Sequence, residues 1–551
     1  MLSGYSIATL VVFLLSITFV IYPVSFHIHL PYLGRRRFLL NLTTAPILAI
    51  AILWAAQCIG ATAIRNGFVG TGGIKPYNIL ILFSSLAYMA ITLDITGVLQ
   101  AAAFWVSNKG GSNGWKLYLY FYMMLTTLSV LLGNDPVILS GTAFLVYYTA
   151  AAELEPIPWL ISEFAAANTA SMVLFVGNPT NVVICEGFGI NNAAFTAYTI
   201  LPFIACNITC FVALAFQFRD AKHIPRKLKV SGKLNVRGVL LDPVSAWVGS
   251  ILLGTCLIVI IVVSFFKVDV WMISLPFAVV KFLFDLSWDH YRFVHEKPML
   301  GRGQLTRVQS PKGEIPAVQA PMMHEIKRAM SFPPVDSQTT MPGAESSHPT
   351  VDTITTNTAI SVSPPPAILH SSRLSTVYTS LSEHFPTFFT ALPRLPFGLI
   401  PFAFSQFILI EGLEHQGWIN IFANWLVRAS DRHIYSTIWL IGVLGVLMCN
   451  IAGTNIGATI LLTKVVRAAP EFPEHSTRAA AIALAVASNI GAVSFTFSAS
   501  LAGLLWNAIL KQKGVTVKQG TFAFWNLLPL AVMTTLGLAV VSAEMAVLYK
   551  K

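Results

Sequence analysis

GNDP at residues 133–136 and GNPTN at residues 177–181 place glycine, proline and amide side chains inside long apolar sequence. A second pair of polar breaks, GTNI at residues 453–456 and SAS at residues 498–500, repeats this arrangement in the second half of the chain. In each pair, 44 positions separate the first polar residue of one motif from that of the other. Polar breaks are costly within a membrane unless they line a cavity, so matched breaks in two halves predict a transporter's binding site.

Two further segments match between these breaks, ANTAS at residues 167–171 and SNIGA at residues 488–492. Asn, Thr and Ser supply neutral donors and acceptors without the cost of a permanent buried charge, while Gly and Pro unwind the helix. An isolated amide in a membrane helix is often a contact between helices, but two matched pairs favour a binding role. The predicted substrate- and ion-binding residues are Asn134, Asp135, Asn168, Thr169, Gly177, Asn178, Pro179, Thr180, Asn181, Thr454, Asn455, Ser488, Asn489, Gly491, Ser498 and Ser500.

Three carboxylates are candidates for coupling or gating. Asp135 lies in the first motif, and its counterpart in the second half is Asn455. A carboxylate at mid-membrane depth needs a cation, a proton or a basic partner, so we predict that Asp135 binds the coupling ion, with helix capping as the alternative. Asp94 and Glu411 each lie near the end of the first helix of a half. We predict that they act in gating or coupling, and the alternative is that they are solvated residues at the membrane interface.

The composition is that of a multi-pass integral membrane protein. The chain has 551 residues, of which 55% are hydrophobic and only 11% charged, against about 25% charged in soluble domains. The net charge of +11 resides in loops beside apolar spans, which the positive-inside rule explains without a nucleic-acid partner. The six cysteines form no CxxC pair, so we expect inert packing, with ligation of a soft metal or arsenic as the alternative, and no cofactor.

Basic loops predict the topology. Arg35–Arg37 and the basic stretch 219–237 both indicate cytosolic loops, so an even number of spans must separate them. Counting 115–133 as a span gives an odd number, whereas a re-entrant hairpin from 115 to 152 restores the parity. The same count of spans predicts that the second hairpin, 434–466, opens to the opposite face of the membrane. The apolar stretch 45–65 is counted as one span, and the N-terminal stretch as a retained helix.

The predicted fold is therefore an all-α polytopic membrane protein with two inverted repeats, each with a re-entrant hairpin and a broken transmembrane helix. Composition changes divide the chain into N-terminal transmembrane helices (1–76), a first transport repeat (77–218), a basic cytosolic loop with a transmembrane helix pair (219–287), a disordered cytosolic linker rich in Pro, Ser and Thr (288–394), and a second transport repeat (395–551). The second broken helix lacks a proline, so its break is expected to be softer.

The succession GNDP, ANTAS and GNPTN resembles the ion transporter superfamily, and within it the branch of arsenite permeases, sodium/proton antiporters and citrate-transporter-like proteins. The resemblance implies the inverted-repeat fold, a homodimer, and elevator-like alternating access coupled to sodium or protons. Dicarboxylate members carry Ser-Asn-Thr at both hairpin tips. Here the tips are Asn134-Asp135-Pro136 and Thr454-Asn455-Ile456, which disfavours di- and tricarboxylates. The motif segments also contain no Arg or Lys to pair with a polyanion.

The sequence thus predicts a secondary active transporter in the lipid bilayer of the plasma or vacuolar membrane, most simply one that exports arsenite or a similar small inorganic solute with H⁺ or Na⁺ as the coupling ion. A sodium/proton antiporter or a citrate/dicarboxylate transporter is the alternative. A non-transporting membrane scaffold acting through residues 288–394 is a rival of another class. An enzyme is not expected, because the sequence shows no Ser-His-Asp order, HExxH motif or metal-ligand cluster.

Overall fold

A computed structural model describes residues 3–30, 34–228, 235–266, 268–295 and 373–549. The helices of the N-terminal part and the first half are α1 (Gly4–Ile21), α2 (Thr44–Ala55), α3 (Ala61–Val69), α4 (Pro76–Ile95), α5 (Val98–Gly110), α6 (Gly114–Leu132), α7 (Asn134–Ala151), α8 (Pro156–Ala170), α9 (Pro179–Phe188) and α10 (Asn192–Gln217). Ten helical segments among the described residues are long and apolar enough to cross a membrane. The predicted helical membrane fold is confirmed.

The remaining helices follow in chain order. They are α11 (Pro243–Val263), α12 (Trp271–Val294), α13 (Arg373–His384), α14 (Pro386–Ala391), α15 (Leu399–His415), α16 (Trp418–Ser430), α17 (Ile434–Ile451), α18 (Asn455–Arg467), α19 (Glu474–Ile490), α20 (Leu501–Gln512) and α21 (Gln519–Leu548). One antiparallel hairpin, β1 (Val24–Leu30) and β2 (Gly34–Leu40), is added to the helical fold. The predicted basic loop at Arg35–Arg37 is part of β2.

The structure confirms that the two halves repeat one another. In the described chain, the seven helices α4–α10 correspond in order to α15–α21, with an offset of about 320 positions. Gly97 and Gly417 both take positive φ, at 89° and 83°, and Gly133 and Gly453 both have φ 83°. These backbone angles favour glycine because a Cβ would be strained there. The halves therefore share their turns as well as their helices.

The halves pack on each other reciprocally. Helix α9 of the first half packs on α18 of the second, and α20 of the second packs on α7 of the first. Helices α10 and α21 pack along one another. In the repeat, α20 is the equivalent of α9 and α7 is the equivalent of α18. A two-fold relation between the halves produces such reciprocal contacts. The opposite orientation of the repeats in the membrane and the re-entry of the hairpins stay predictions from the charge pattern, since α6 and α17 are themselves long enough to span.

Both broken helices are present. Helix α8 ends at Ala170 and α9 begins at Pro179, with a short 3₁₀ turn at Phe175–Gly177 between them. In the second half, the chain is unwound between the end of α19 and the start of α20, apart from 3₁₀ turns at Gly491–Val493 and Phe497–Ala499. The second break is thus as complete as the first, in contrast to the softer break expected without a proline.

Two predicted boundaries are corrected. The stretch 45–65 is not one span, because the chain leaves the helix after Ala55, with Gln57 at a φ of 57°, and restarts at Ala61. The ends of the range predicted as a disordered linker are helical: α12 continues to Val294, and α13 and α14 follow from Arg373. Helices α12 and α14 pack on each other, which gives these ends tertiary support. Residues 296–372 lie outside the described residues.

Candidate functional site

The tip of the first hairpin is held against the first broken helix. Gly133 ends α6 with positive φ, and a Cβ there would lie 3.3 Å from the backbone oxygen of Gly177. The next residue, Asn134, begins α7 and donates from Nδ2 to Asn168 Oδ1 at 3.1 Å. Asn168 in turn donates to the Phe164 carbonyl of its own helix at 2.8 Å. The hairpin tip and α8 are therefore joined by an amide pair.

Three side chains connect this pair to the second half. Ser171, just after α8, has its Oγ 2.7 Å from the backbone oxygen of Asn168 and 2.8 Å from Oδ1 of Asn489 on α19, so these two acceptors share its hydroxyl proton. The Asn489 Nδ2 group donates to Asn181 Oδ1 at 2.8 Å. Asn181 donates back to the backbone oxygens of Ser171 and Leu174, each at 2.9 Å. These bonds cross between the halves.

A second crossing lies one residue earlier on α19. Ser488 Oγ donates to Thr180 Oγ1 of the first half at 3.2 Å. The Ser488 carbonyl accepts from Asn455 Nδ2, at the tip of the second hairpin, at 3.4 Å. The two hydrogen-bonded groups adjoin along the chain at residues 180–181 and 488–489, and we call them together the amide network: Asn134, Asn168, Ser171, Thr180, Asn181, Asn455, Ser488 and Asn489. All eight side chains are buried, and none of them carries a formal charge.

Four helices begin at the breaks, and three of them are capped by a predicted site residue. Asn178 accepts from Thr180 N at 3.2 Å, Thr454 from Gly457 N at 3.4 Å, and Ser500 from Gly503 N at 3.0 Å. Such caps satisfy one of the amide groups that a helix start leaves free. Helix α7 has Gly133 at this position and no side-chain cap.

Asp135 lies in the first turn of α7, next to the amide network. It is partly exposed, and no described residue forms a hydrogen bond or ion pair with its carboxylate. A carboxylate in the first turn is favoured by the helix dipole, but it does not cap α7 through a side-chain hydrogen bond. The arrangement leaves its oxygens available to a proton or a cation.

Asp94 and Glu411 are buried and paired, so the alternative of solvated interface residues is wrong. Asp94 on α4 accepts from Ser140 of α7 and lies 3.3 Å from Arg394 Nη1. Glu411 on α15 lies 2.5 Å from Lys464 Nζ of α18. The exposed fractions are 1% for Asp94 and 7% for Glu411. Each pair joins the first helix of a half to neighbouring elements, and neither carboxylate forms a described bond with the amide network.

Five further predicted residues lie outside the amide network. Thr169 donates to Met533 Sδ of α21 at 3.3 Å, and Ser498 donates to Thr496 Oγ1 at 3.3 Å. The two glycines are positions where a Cβ has no room: Gly177 lies against the backbone of Ser171, and Gly491 against Cys449. Pro179 occupies the first turn of α9, where a missing N–H costs little.

The sequence reasoning missed several residues that hold the site. Ser171 belongs to the ANTAS segment and joins the two halves, a role that the sequence alone does not indicate. Asn450 Oδ1 accepts from the backbone N–H groups of Phe495 and Thr496, at 3.2 and 3.1 Å, and so fixes the second break. Asn450 lies only three residues before Gly453, so its place in the sequence indicates a residue of the second hairpin tip. Arg394 and Lys464 could be assigned as partners only from the tertiary structure.

The amide network can bind a small polar solute through neutral donors and acceptors. Lys464 is the basic residue of the second hairpin arm, but its ammonium group bonds to Glu411, Glu414 and Thr71. No described Lys or Arg makes an ion pair or hydrogen bond with the amide network. The site therefore offers hydrogen bonds rather than fixed positive charge, with one free carboxylate at its edge.

Comparisons with known proteins place this geometry in context. The chain is similar over 228 residues, 40% of its length, to the arsenical pump membrane protein of Escherichia coli (strain K12), at 25% identity and 52% coverage of that protein. It is similar over 167 residues to a 46 kDa membrane protein of Mycobacterium leprae, at 22% identity, covering 30% of this chain and 39% of that protein. The chain thus spans about half or less of the length of these curated relatives.

Two solved structures align with nearly the whole chain at 12% identity. They are the Alcanivorax borkumensis YdaH transporter, with a TM-score of 0.44 and coverage of 99% of this chain and 98% of that one, and Neisseria gonorrhoeae MtrF, with a TM-score of 0.40 and coverage of 98% and 95%.

The family is shown by a match to a family model. Residues 6–294, more than half of the chain, match the model of the citrate transporter family. The matched range includes the first hairpin, the first broken helix and Asp135. The chain is a multi-pass membrane protein that belongs to the citrate transporter family.

Proposed function

We propose that the protein is a secondary active transporter that exports arsenite or a similar small inorganic solute, driven by protons or sodium. The observation that carries the proposal is the uncharged amide network that bridges the two halves through Ser171, Asn181 and Asn489. A solute that replaces some of these hydrogen bonds would act on both halves at once. That is the requirement for coupling solute binding to a movement between them.

The chemistry of the site favours a small uncharged solute. Arsenous acid is neutral at neutral pH and carries hydroxyl groups that donate and accept hydrogen bonds, which matches Asn and Ser side chains. A citrate trianion calls for charge-assisted bonds from Arg or Lys, which the amide network lacks. The similarity to arsenical pump membrane proteins supports the same solute class.

Asp135 is the proposed site of the coupling ion. Its carboxylate is adjacent to Asn134 of the amide network and has no partner among the described residues. A proton or a sodium ion bound there would neutralise a charge that is costly at membrane depth. We further propose a homodimer that works by elevator-like alternating access in the plasma or vacuolar membrane, as the family resemblance implies.

Carboxylate transport is the second candidate. The family's name and the four helix starts at the breaks favour it, because helix N-termini attract anions. The side-chain caps on three of these helices weaken that attraction, since each cap occupies an N–H group that an anion would use. Sodium/proton exchange without a solute is the third candidate, because Asp135 could serve it alone.

Flux through purified protein in proteoliposomes tests these candidates. Arsenite, citrate and sodium are each offered against imposed proton and sodium gradients. We expect gradient-driven arsenite flux that Asn134→Ala reduces strongly, while Asn526→Ala, a buried amide outside the amide network, has little effect. Citrate flux without arsenite flux would refute the proposed solute. A scaffold would show no flux in any condition.

A further inference from the structure

Glu163, on the middle of α8, is a buried carboxyl group that the proposed mechanism does not use. Its side chain is completely buried. The hydroxyl group of Thr142 on α7 lies 3.1 and 3.0 Å from its two carboxyl oxygens. The indole N–H of Trp506 on α20 approaches the same carboxyl group and has no partner at normal hydrogen-bond distance. Three helices therefore meet at this group.

Within the described part of the chain, no side chain forms an ion pair with Glu163. The aromatic rings of Phe164, Phe497 and Phe522 pack around Trp506 and separate the carboxyl from solvent. An ionised carboxylate here would lose its hydration and gain only neutral donors, which favours the protonated carboxyl in this conformation.

Among the described residues, the titratable side chains on the helices packed against α8 form no described hydrogen bond or ion pair with Glu163. Tyr118 donates to the Pro158 carbonyl, Tyr148 bonds to Ser107, and Cys206 approaches the Met533 carbonyl. The others on these helices that form no described bond with Glu163 are Lys116, Tyr120, Tyr122, Asp135, Tyr147, Tyr198, Cys210, Glu474, His475, Arg478, Lys511 and Glu544. Among the described groups, the protonation of Glu163 thus depends on its burial, on Thr142 and on Trp506.

The repeat provides an internal comparison. The offset of 320 positions places Leu461, Leu462 and Ala483 where the first half has Gly141, Thr142 and Glu163. All three second-half residues are buried, so the same pair of helices packs there with apolar side chains. In the first half, Gly141 makes room for the carboxyl, because a Cβ at this position would collide with Glu163 Oε1. Packing alone therefore does not require the carboxyl group.

We propose that Glu163 is a second proton-binding residue of the transport cycle, distinct from Asp135. It lies between α7, the second arm of the first hairpin, and α20, which follows the second break. When these helices separate, water reaches the carboxyl, which gives its proton to water and leaves a carboxylate and a hydronium ion. When they close again, the carboxylate takes a proton back. The inference rests on the proposed proton-coupled function.

Glu163→Gln tests this role, because the amide keeps the shape and the contact with Thr142 but cannot release a proton. Purified variants in proteoliposomes are compared by one ratio: arsenite flux driven by a pH gradient divided by arsenite exchange at equal pH. We expect the ratio to fall about tenfold or more, within the usual range of coupling between sites. Glu474→Gln is the matched control, because its carboxylate is exposed on α19 and pairs with Arg478.

Two further measurements separate a proton site from a packing role. The infrared difference spectrum between acid and alkaline samples should contain a protonated carboxylic acid band that Glu163→Gln lacks. Thr142→Val, which removes the hydroxyl group near the carboxyl, should change the pH of half-maximal flux. A ratio within twofold of the wild type in Glu163→Gln, or an unmoved pH profile in Thr142→Val, overturns the inference while the transport proposal stands. A wild type whose arsenite flux is driven by sodium alone overturns this inference only, and a wild type driven by neither gradient overturns both.

Discussion

Asn489 should be the side chain whose loss weakens the contact between the halves most clearly. Replacing it with alanine removes the bond from Ser171 Oγ, 2.8 Å long, and the bond to Asn181 Oδ1, also 2.8 Å. Ser171 keeps its bond to the Asn168 carbonyl, but Asn181 Oδ1 is left without its donor. Asn489 is fully buried, so water cannot easily replace what is lost.

The magnitude follows from these contacts. Hydrogen bonds between membrane helices contribute about 0.6 kcal/mol on average and up to about 1.7 kcal/mol, so two of them amount to about 1–3 kcal/mol. A buried acceptor left without a donor adds about 1 kcal/mol. We therefore expect Asn489→Ala to lower the free energy of unfolding by about 2–4 kcal/mol.

The assay is unfolding of the detergent-solubilised protein by increasing SDS, followed by tryptophan fluorescence. Asn526→Ala is the matched control, since this buried amide bonds to the Phe522 carbonyl of its own helix and its Oδ1 has no described partner. We expect the control to lose less than about 1 kcal/mol. If the two variants differed by less than about 0.5 kcal/mol, the bridging bonds would not stabilise the contact between halves.

Three other substitutions follow from the structure. Asp135→Asn should lower gradient-driven arsenite flux about tenfold or more while the melting temperature stays near that of the wild type; unchanged flux would contradict the coupling role. Lys464→Met should cost about 3–5 kcal/mol because it strands the buried Glu411 carboxylate, and adding Glu411→Gln should restore much of the loss in the same SDS assay. Gly133→Ala should cost about 1–3 kcal/mol at a φ of 83°, whereas Gly520→Ala, with open space around it, should not destabilise.

The repeat and its breaks could be predicted from the sequence because they depend on local chemistry. Gly133 and Pro179 are residue types that favour the end and the start of a helix, and equal spacing then identifies the two halves. The strength of the second break could not be predicted in this way. Its unwound segment is held by Asn450 and its next helix is capped by Ser500, so hydrogen bonds accomplish there what proline does in the first half.

The partners of buried charges could not be read from the sequence. Asp94 and Arg394 are 300 positions apart, and Glu411 and Lys464 are 53 apart. No local pattern indicates which carboxylate meets which base, because the pairing depends on how the two halves pack. The surroundings of Glu163 could not be read from the sequence either, because its neighbours Thr142 and Trp506 lie on two other helices.

The two halves share a scaffold, but their ionisable groups are distributed unequally. The first half has Asp135 and Glu163 where the second has Asn455 and Ala483. If each half bound a coupling ion, the carboxylates would recur at both positions, because the helices that hold them do recur. The second half instead supplies Ser488 and Asn489, which reach across to Thr180 and Asn181. We therefore propose that the first half binds the coupling ion and that the second half closes the solute site against it.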